Sequence, residues 1–184
     1  MGEGSALLLL ESLEHAKARC AYILAEVVGY ASSVDGYSVS HPDPEGLAVI
    51  HAHKQLFADG VIHPQDVEYI NAHGTSTVLN DVIETNAIKK VYGQHAYTLK
   101  ISSNKSMIGH LVAAAGAVEI IATILSLQKG IIFPTINLVT SDPECDLDYV
   151  ANSCEKKDID LAISQSFGLG GQNAIVALKK WRGV

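Results

Sequence analysis

An α/β fold with a mixed sheet is predicted by three features of this chain. Short apolar segments alternate with helical ones, as in βαβ units. Two strand-like segments near the C-terminus flank a glycine loop, as in a hairpin. One helix, 110–128, is apolar on nearly all sides, as a buried layer would be.

The elements follow in order. Residues 5–11 form an apolar run that reads as a buried strand, and Ser12 then caps a helix over 12–20. Residues 23–30 read as a strand. A loop with Gly36, Pro42, Pro44 and Gly46 leads into a helix at 46–59 that stops at Gly60. Pro64 and Asp66 start a short turn, and the strand 67–72 ends next to His73. Asn80 or Asp81 caps a helix running to Tyr92, and 99–102 is a brief strand leading into a loop, 105–110. After the apolar helix, 159–165 and 174–179 are strands. About five strands in one sheet are expected, within a single domain, 1–184, which is long enough to bury a real core.

Composition narrows the function. The chain is 48% hydrophobic but only 6% aromatic, so its core is built from Ala, Val, Ile and Leu. Net charge is -7 with no basic run, so nucleic acid is not an expected partner. The richest apolar stretch, Leu111 to Leu127, holds Glu119 and Gly116 and is short for a bilayer, so no membrane is expected either. No basic leader opens the chain. The three cysteines, Cys20, Cys145 and Cys154, have no metal or redox spacing. A reducing compartment, the cytoplasm or an organelle matrix, is the simplest setting.

Three motifs carry the chemistry: Asn71-Ala72-His73-Gly74-Thr75-Ser76-Thr77, Asn104-Lys105-Ser106-Met107-Ile108-Gly109-His110, and Ser166-Phe167-Gly168-Leu169-Gly170-Gly171-Gln172-Asn173. His73 follows a buried strand and enters a Gly/Thr/Ser turn, where functional groups are often displayed. His110 opens the apolar helix, whose N-terminus favours the neutral ring. Two neutral imidazoles donating N–H to one oxygen would stabilise a developing enolate or oxyanion. The alternative is two ordinary capping histidines. No Cys or His lies at zinc-ligand spacing from either, so no metal is expected. His51 and His53, two apart on a helix, read as surface residues. The glycine loop is not followed by a helix and lacks the dinucleotide spacing, leaving a tight hairpin turn, a flexible gate, or both.

Together the motifs resemble the second half of a β-ketoacyl-acyl-carrier-protein synthase, from Met1 to about Trp181. The resemblance implies a thiolase-like fold, in which two homologous halves form an αβαβα sandwich and this chain is the C-terminal half. It implies that His73 and His110 hold the malonyl thioester carbonyl during decarboxylation and stabilise the enolate. Thr75 and Thr77 match positions that contact the phosphopantetheine arm, and Lys105 matches the family lysine, set to pair with Glu119. Phe167, Gly168 and Leu169 match the gate, with Leu169 where phenylalanine is usual, and Glu119 and Asn173 support the site. Substrates ride on acyl carrier protein, and no resident cofactor is implied. Homo-oligomers or heteromers are implied as well.

The family's nucleophilic cysteine belongs to the N-terminal half, at a helix N-terminus. Cys20 ends a charged helix, Cys145 sits between Glu144 and Asp146, and Cys154 adjoins Glu155, so all three read as structural. The chain is therefore expected to be a truncated reading frame, a split subunit or an isolated domain, inactive alone. Its expected role is decarboxylative condensation with a separate N-terminal half. The rivals are a non-catalytic partner like a chain-length factor, which leaves activity intact when the histidines are removed, and an inactive fragment that does not melt cooperatively.

Overall fold

Alternation of side chains along three central strands sorts the core onto two faces of one sheet. On β2 (Tyr69–Asn71), Ile70 points to one face and Tyr69 to the other. On β6 (Leu161–Phe167), Ile163 and Ala162 divide in the same way, as do Ile175 and Leu178 on β7 (Gln172–Lys180). The computed structural model describes residues 1–183; Val184, the last residue of the predicted domain, lies outside them.

The sheet has the expected five strands, completed by β1 (Ala25–Val34) and β3 (Lys100–Ser102) in the order β1-β7-β6-β2-β3. β1 and β6 run antiparallel to β7, whereas β2 is parallel to both β6 and β3, so the sheet is mixed. The predicted hairpin is the β6–β7 pair, closing with Phe167 opposite Asn173. Helices α2 (Leu47–Leu56) and α3 (Asn80–Tyr92) seal one face over Leu56, Ile70, Ile88, Leu99, Ile101, Ile163 and Ile175. On the other face α5 (Ala115–Lys129) packs on β6 and β7.

Several expectations are corrected. Residues 5–11 form no strand, and Leu7, Leu9 and Leu10 are exposed: a strand needs a hydrogen-bonded neighbour, and among the described residues this run has none. Ser12 does cap α1 (Leu13–Ala18), its hydroxyl accepting the His15 N–H at 3.3 Å. α3 begins at Asn80 with Leu79 at the cap and no side-chain cap bond, so neither Asn80 nor Asp81 caps it. The 105–110 segment is not all loop, since Lys105–Ile108 form a helical turn, α4. A 3₁₀ turn over Val112–Ala114 precedes α5, so His110 does not open that helix. A small antiparallel pair, β4 (Ile131–Ile132) with β5 (Glu155–Lys156), is too short to show any period.

Helix α5 is not buried all round. It buries Ala115, Glu119, Thr123, Ser126 and Leu127 and leaves Leu125 48% exposed. With the 3₁₀ turn it makes 18 residues, 112–129, of mean hydropathy 1.4, long and apolar enough by length and composition to cross a bilayer. The expectation that no run reaches that length is thus corrected. Its inward polar residues and its packing on the sheet are those of a core helix.

Candidate active site

β2 delivers His73. Tyr69, Ile70 and Asn71 are fully buried, and the Ala72 N–H still bonds the Ser102 carbonyl at 2.9 Å, so the chain reaches His73 in register with β3. The turn then needs glycine: Gly74 has φ +41°, and a Cβ there would lie 2.6 Å from Ser103 Cβ. Glu84, one turn into α3, holds this turn. Its Oε1 accepts the His73 N–H at 2.7 Å and its Oε2 the Gly74 N–H at 2.9 Å. Asn71, two residues back, ties the strand to α5 by donating to Glu119 O at 3.0 Å and Thr123 Oγ1 at 3.1 Å.

His110 comes from the α4–α5 connection. Its Nδ1 accepts the Val112 N–H at 3.0 Å, so in the neutral ring the proton sits on Nε2. That contact comes with backbone strain. Val112 is β-branched yet has φ +54°, a conformation costing on the order of 1–3 kcal/mol.

The structure brings the two histidines together. Their ring centroids lie 5.5 Å apart with an interplanar angle of 82°, and Phe167 stands 5.3 Å from His73. Burial, the Lys105 ammonium and His110 pull His73 down to about 3. Burial and Lys105 also lower His110, against the Glu119 carboxylate, so both rings are neutral near pH 7. The expected contact between Lys105 and Glu119 forms: Lys105 Nζ bonds Glu119 Oε1, and Ser166 Oγ donates to Oε2 at 3.1 Å.

Thr75, Thr77, Lys105 and His110 line one groove of about 860 Å³, with Asn137, Cys145 and Tyr149 on its other walls. The two threonine hydroxyls are 2.9 Å apart. Leu169 is 85% exposed, and the Gly168 N–H closes the hairpin on Gln172 O at 2.6 Å. Asn173 Nδ2 donates to Ser33 Oγ and Gly171 O, both at 3.3 Å, and so braces the glycine loop rather than the histidines. A separate groove of about 800 Å³ beside β1 and α2, with Asp35, Tyr37, Asp43 and His51, contains none of the predicted site residues.

Of the cysteines, Cys20 and Cys154 are exposed, and Cys145 is half-buried. Burial first, then the carboxylates of Asp142, Asp81 and Glu144, push its thiol up despite a Thr85 hydrogen bond.

The sequence reading missed three residues behind His73. Glu84, which holds the His73–Gly74 turn, is the first. Gln165 bonds it from β6 at 2.6 Å, and His53 bonds Gln165 from α2 at 2.9 Å. His53 is fully buried, which corrects its reading as a surface residue. The signal was present: Val49, His53 and Leu56 share one helical face at i, i+4, i+7 spacing.

Comparison with known proteins shows the family and the fold. The model of the β-ketoacyl synthase C-terminal domain matches residues 24–139. The chain is 48% identical to 3-oxoacyl-[acyl-carrier-protein] synthase 2 of Synechocystis over 99% of its length, and 49% identical to the Staphylococcus aureus (strain COL) protein of that name over 98%. It spans 44% of each, a little under half the length of these relatives. Among solved structures, a type II polyketide ketosynthase in complex with its acyl-carrier protein superposes with a TM-score of 0.90 at 42% identity, over 93% of this chain and 42% of that one. The ishigamide ketosynthase/chain length factor does so with 0.92 at 37% identity, over 98% and 44%.

Proposed function

The chain belongs to the β-ketoacyl synthase family, and we propose that it supplies the histidine half of a decarboxylative condensation site. The observation that carries this reading is the perpendicular pair of neutral imidazoles, His73 and His110, beside the groove lined by Thr75 and Thr77.

The chemistry follows from charge flow. When a malonyl thioester loses CO2, the electrons of the broken C–C bond move toward the thioester carbonyl, and its oxygen becomes an enolate. Two fixed N–H donors stabilise that oxygen more than the ground-state carbonyl, and this lowers the barrier. His110 is set for the task, since its Nδ1 is occupied by Val112 and Nε2–H is free to donate. His73 Nδ1 is enclosed without a partner among the described residues, so Nε2 is its nitrogen for substrate. Lys105 helps to keep both rings neutral, and Glu119 fixes Lys105; both position the site rather than carry protons. The enolate carbon then attacks an acyl thioester held on cysteine, a C–C bond forms, and the thiolate leaves.

That cysteine would come from the N-terminal half of the synthase. A nucleophile needs its thiolate, and the raised thiol of Cys145 is the opposite arrangement. Thr75 and Thr77 would meet the phosphopantetheine arm of acyl carrier protein, the proposed carrier of both substrates. The likeness to a ketosynthase solved with its carrier protein supports that partner.

Reconstitution with the N-terminal half of a related synthase tests this reading. Formation of 3-oxoacyl product from malonyl- and acyl-carrier protein is the readout. Replacing His73 or His110 by Ala should lower it by about 10²–10³-fold. Full activity in both variants would instead make the chain a non-catalytic partner of the chain-length-factor type.

A further inference from the structure

A buried polar row reaches His73 from behind. Resting on the reading above, we propose that His53 and Gln165 are positioning residues for His73, acting through Glu84 on the His73–Gly74 backbone.

The row crosses three elements. Tyr92 Oη lies 3.3 Å from His53 Nδ1, His53 Nε2 lies 2.9 Å from Gln165 Oε1, and Gln165 Nε2 lies 2.6 Å from Glu84 Oε1. Glu84 ends it by accepting the His73 and Gly74 N–H groups at 2.7 and 2.9 Å, with Asn80 Nδ2 at 3.1 Å. Proton directions follow from that end. The fixed backbone N–H groups of His73 and Gly74 each occupy one oxygen of Glu84, and with the Asn80 and Gln165 amides they favour its carboxylate against the burial that raises it. With the carboxylate accepting, Gln165 presents its N–H to Glu84 and its oxygen to His53. His53 then donates from Nε2 and accepts the Tyr92 hydroxyl at Nδ1. Every member is satisfied, which is the condition for a buried network to rigidify its surroundings.

Two observations give the row its purpose. His73 has no side-chain hydrogen bond of its own: its Nδ1 is enclosed and unpartnered among the described residues. Its ring is oriented by contact with Phe167 and by the backbone that Glu84 holds. Moreover, His53, Gln165 and Glu84 are all buried, where apolar side chains would pack at no greater cost. Gln165 also has the reach for the task. It spans from His53 to Glu84 with good geometry at both ends, and an Asn, shorter by one methylene, would lose one of them.

Amide hydrogen exchange on the chain tests the row directly. His53→Phe and Gln165→Asn should speed exchange of the His73 and Gly74 amides by about tenfold relative to Ile70 on the same strand. His53→Gln should stay near the native rate, because its amide donates to Gln165 and its oxygen accepts from Tyr92. Leu56→Ala, which weakens the same helix without touching the row, should speed all core amides alike. In the reconstituted synthase, His53→Phe should lower kcat about tenfold while KM for malonyl-carrier protein stays within about twofold. Unchanged His73 and Gly74 exchange in both His53→Phe and Gln165→Asn overturns the proposal, as does a His53→Gln variant that behaves like His53→Phe. If even the native assembly fails to condense, the proposed function falls, while the exchange result still decides the row.

Discussion

Helices α2 and α5 cover opposite faces of one sheet and are built on opposite plans. α2 turns Val49, Ile50, Ala52 and Leu56 inward with a single polar residue, His53, and exposes His51, Lys54 and Gln55. α5 turns Glu119, Thr123 and Ser126 inward with Ala115 and Leu127, and leaves Leu125 outside. The polar inner side of α5 belongs to the site, since Glu119 binds Lys105 and Thr123 meets Asn71. An apolar outer side on such a helix calls for a further layer. In the proposed assembly the N-terminal half supplies it, consistent with a chain spanning 44% of its relatives. On α2 the inward side is apolar apart from His53; on α5 Glu119, Thr123 and Ser126 share the inward side with Ala115, Ile120, Ile124 and Leu127, and Glu119 and Thr123 reach toward the site.

The sharpest way to break this contrast is the ion pair. Lys105→Ala would leave the Glu119 carboxylate buried without its cation, a loss of about 3–5 kcal/mol. Thermal melting should show it as a large drop in Tm. Replacing both partners with apolar residues of similar size should recover most of the stability and none of the catalysis. An unchanged Tm in Lys105→Ala would mean that the inner face of α5 contributes little to folding.

Paired core truncations come next. Leu56→Ala, on the sealed face, should cost about 2–5 kcal/mol in denaturant unfolding. Leu125→Ala, on the open side, should change the stability of the chain alone by less than about 0.5 kcal/mol. Leu125→Asp should also reduce self-association in sedimentation velocity. Equal costs at the two leucines would show that α5 is covered within this chain.

The sequence reading succeeded where period and chemistry agreed and failed where an element depends on a distant neighbour. The five-stranded mixed sheet and the 161–180 hairpin were legible from alternation and glycine, and the histidine pair from its motifs. The run at 5–11 has strand composition but no partner strand, and composition cannot supply one. α5 looked buried because its apolar residues surround it, yet three of the five positions it buries are Glu119, Thr123 and Ser126. His53 was misplaced because it was paired with His51 instead of being read with Val49 and Leu56. Glu84 and Gln165 lie 11 and 92 positions from His73, and only the fold brings them behind it.

A graded effect separates the two sides by pH. Burial lowers His53, on the α2 side, to about 4, and His73, on the site, to about 3. An unfolded histidine titrates near the ordinary 6.5, so between 6.5 and those values the unfolded chain binds protons that the folded one refuses. Stability is therefore complete above about pH 6.5 and falls as pH drops, by up to about 1.4 kcal/mol per pH unit for each histidine. The paired acids Asp146 and Asp158 are held below the carboxylate range, so their share appears only at lower pH. His110 is lowered as well and adds to the decline, whereas burial raises the Glu84 carboxyl, which opposes it. Melting at pH 7.5, 6 and 5 should thus show a net decline, and His53→Gln, which removes one of the lowered histidines while keeping the row intact, should make it shallower between pH 6.5 and 5. An unaltered decline would mean that water reaches His53 in the folded chain and that the α2 face is not sealed.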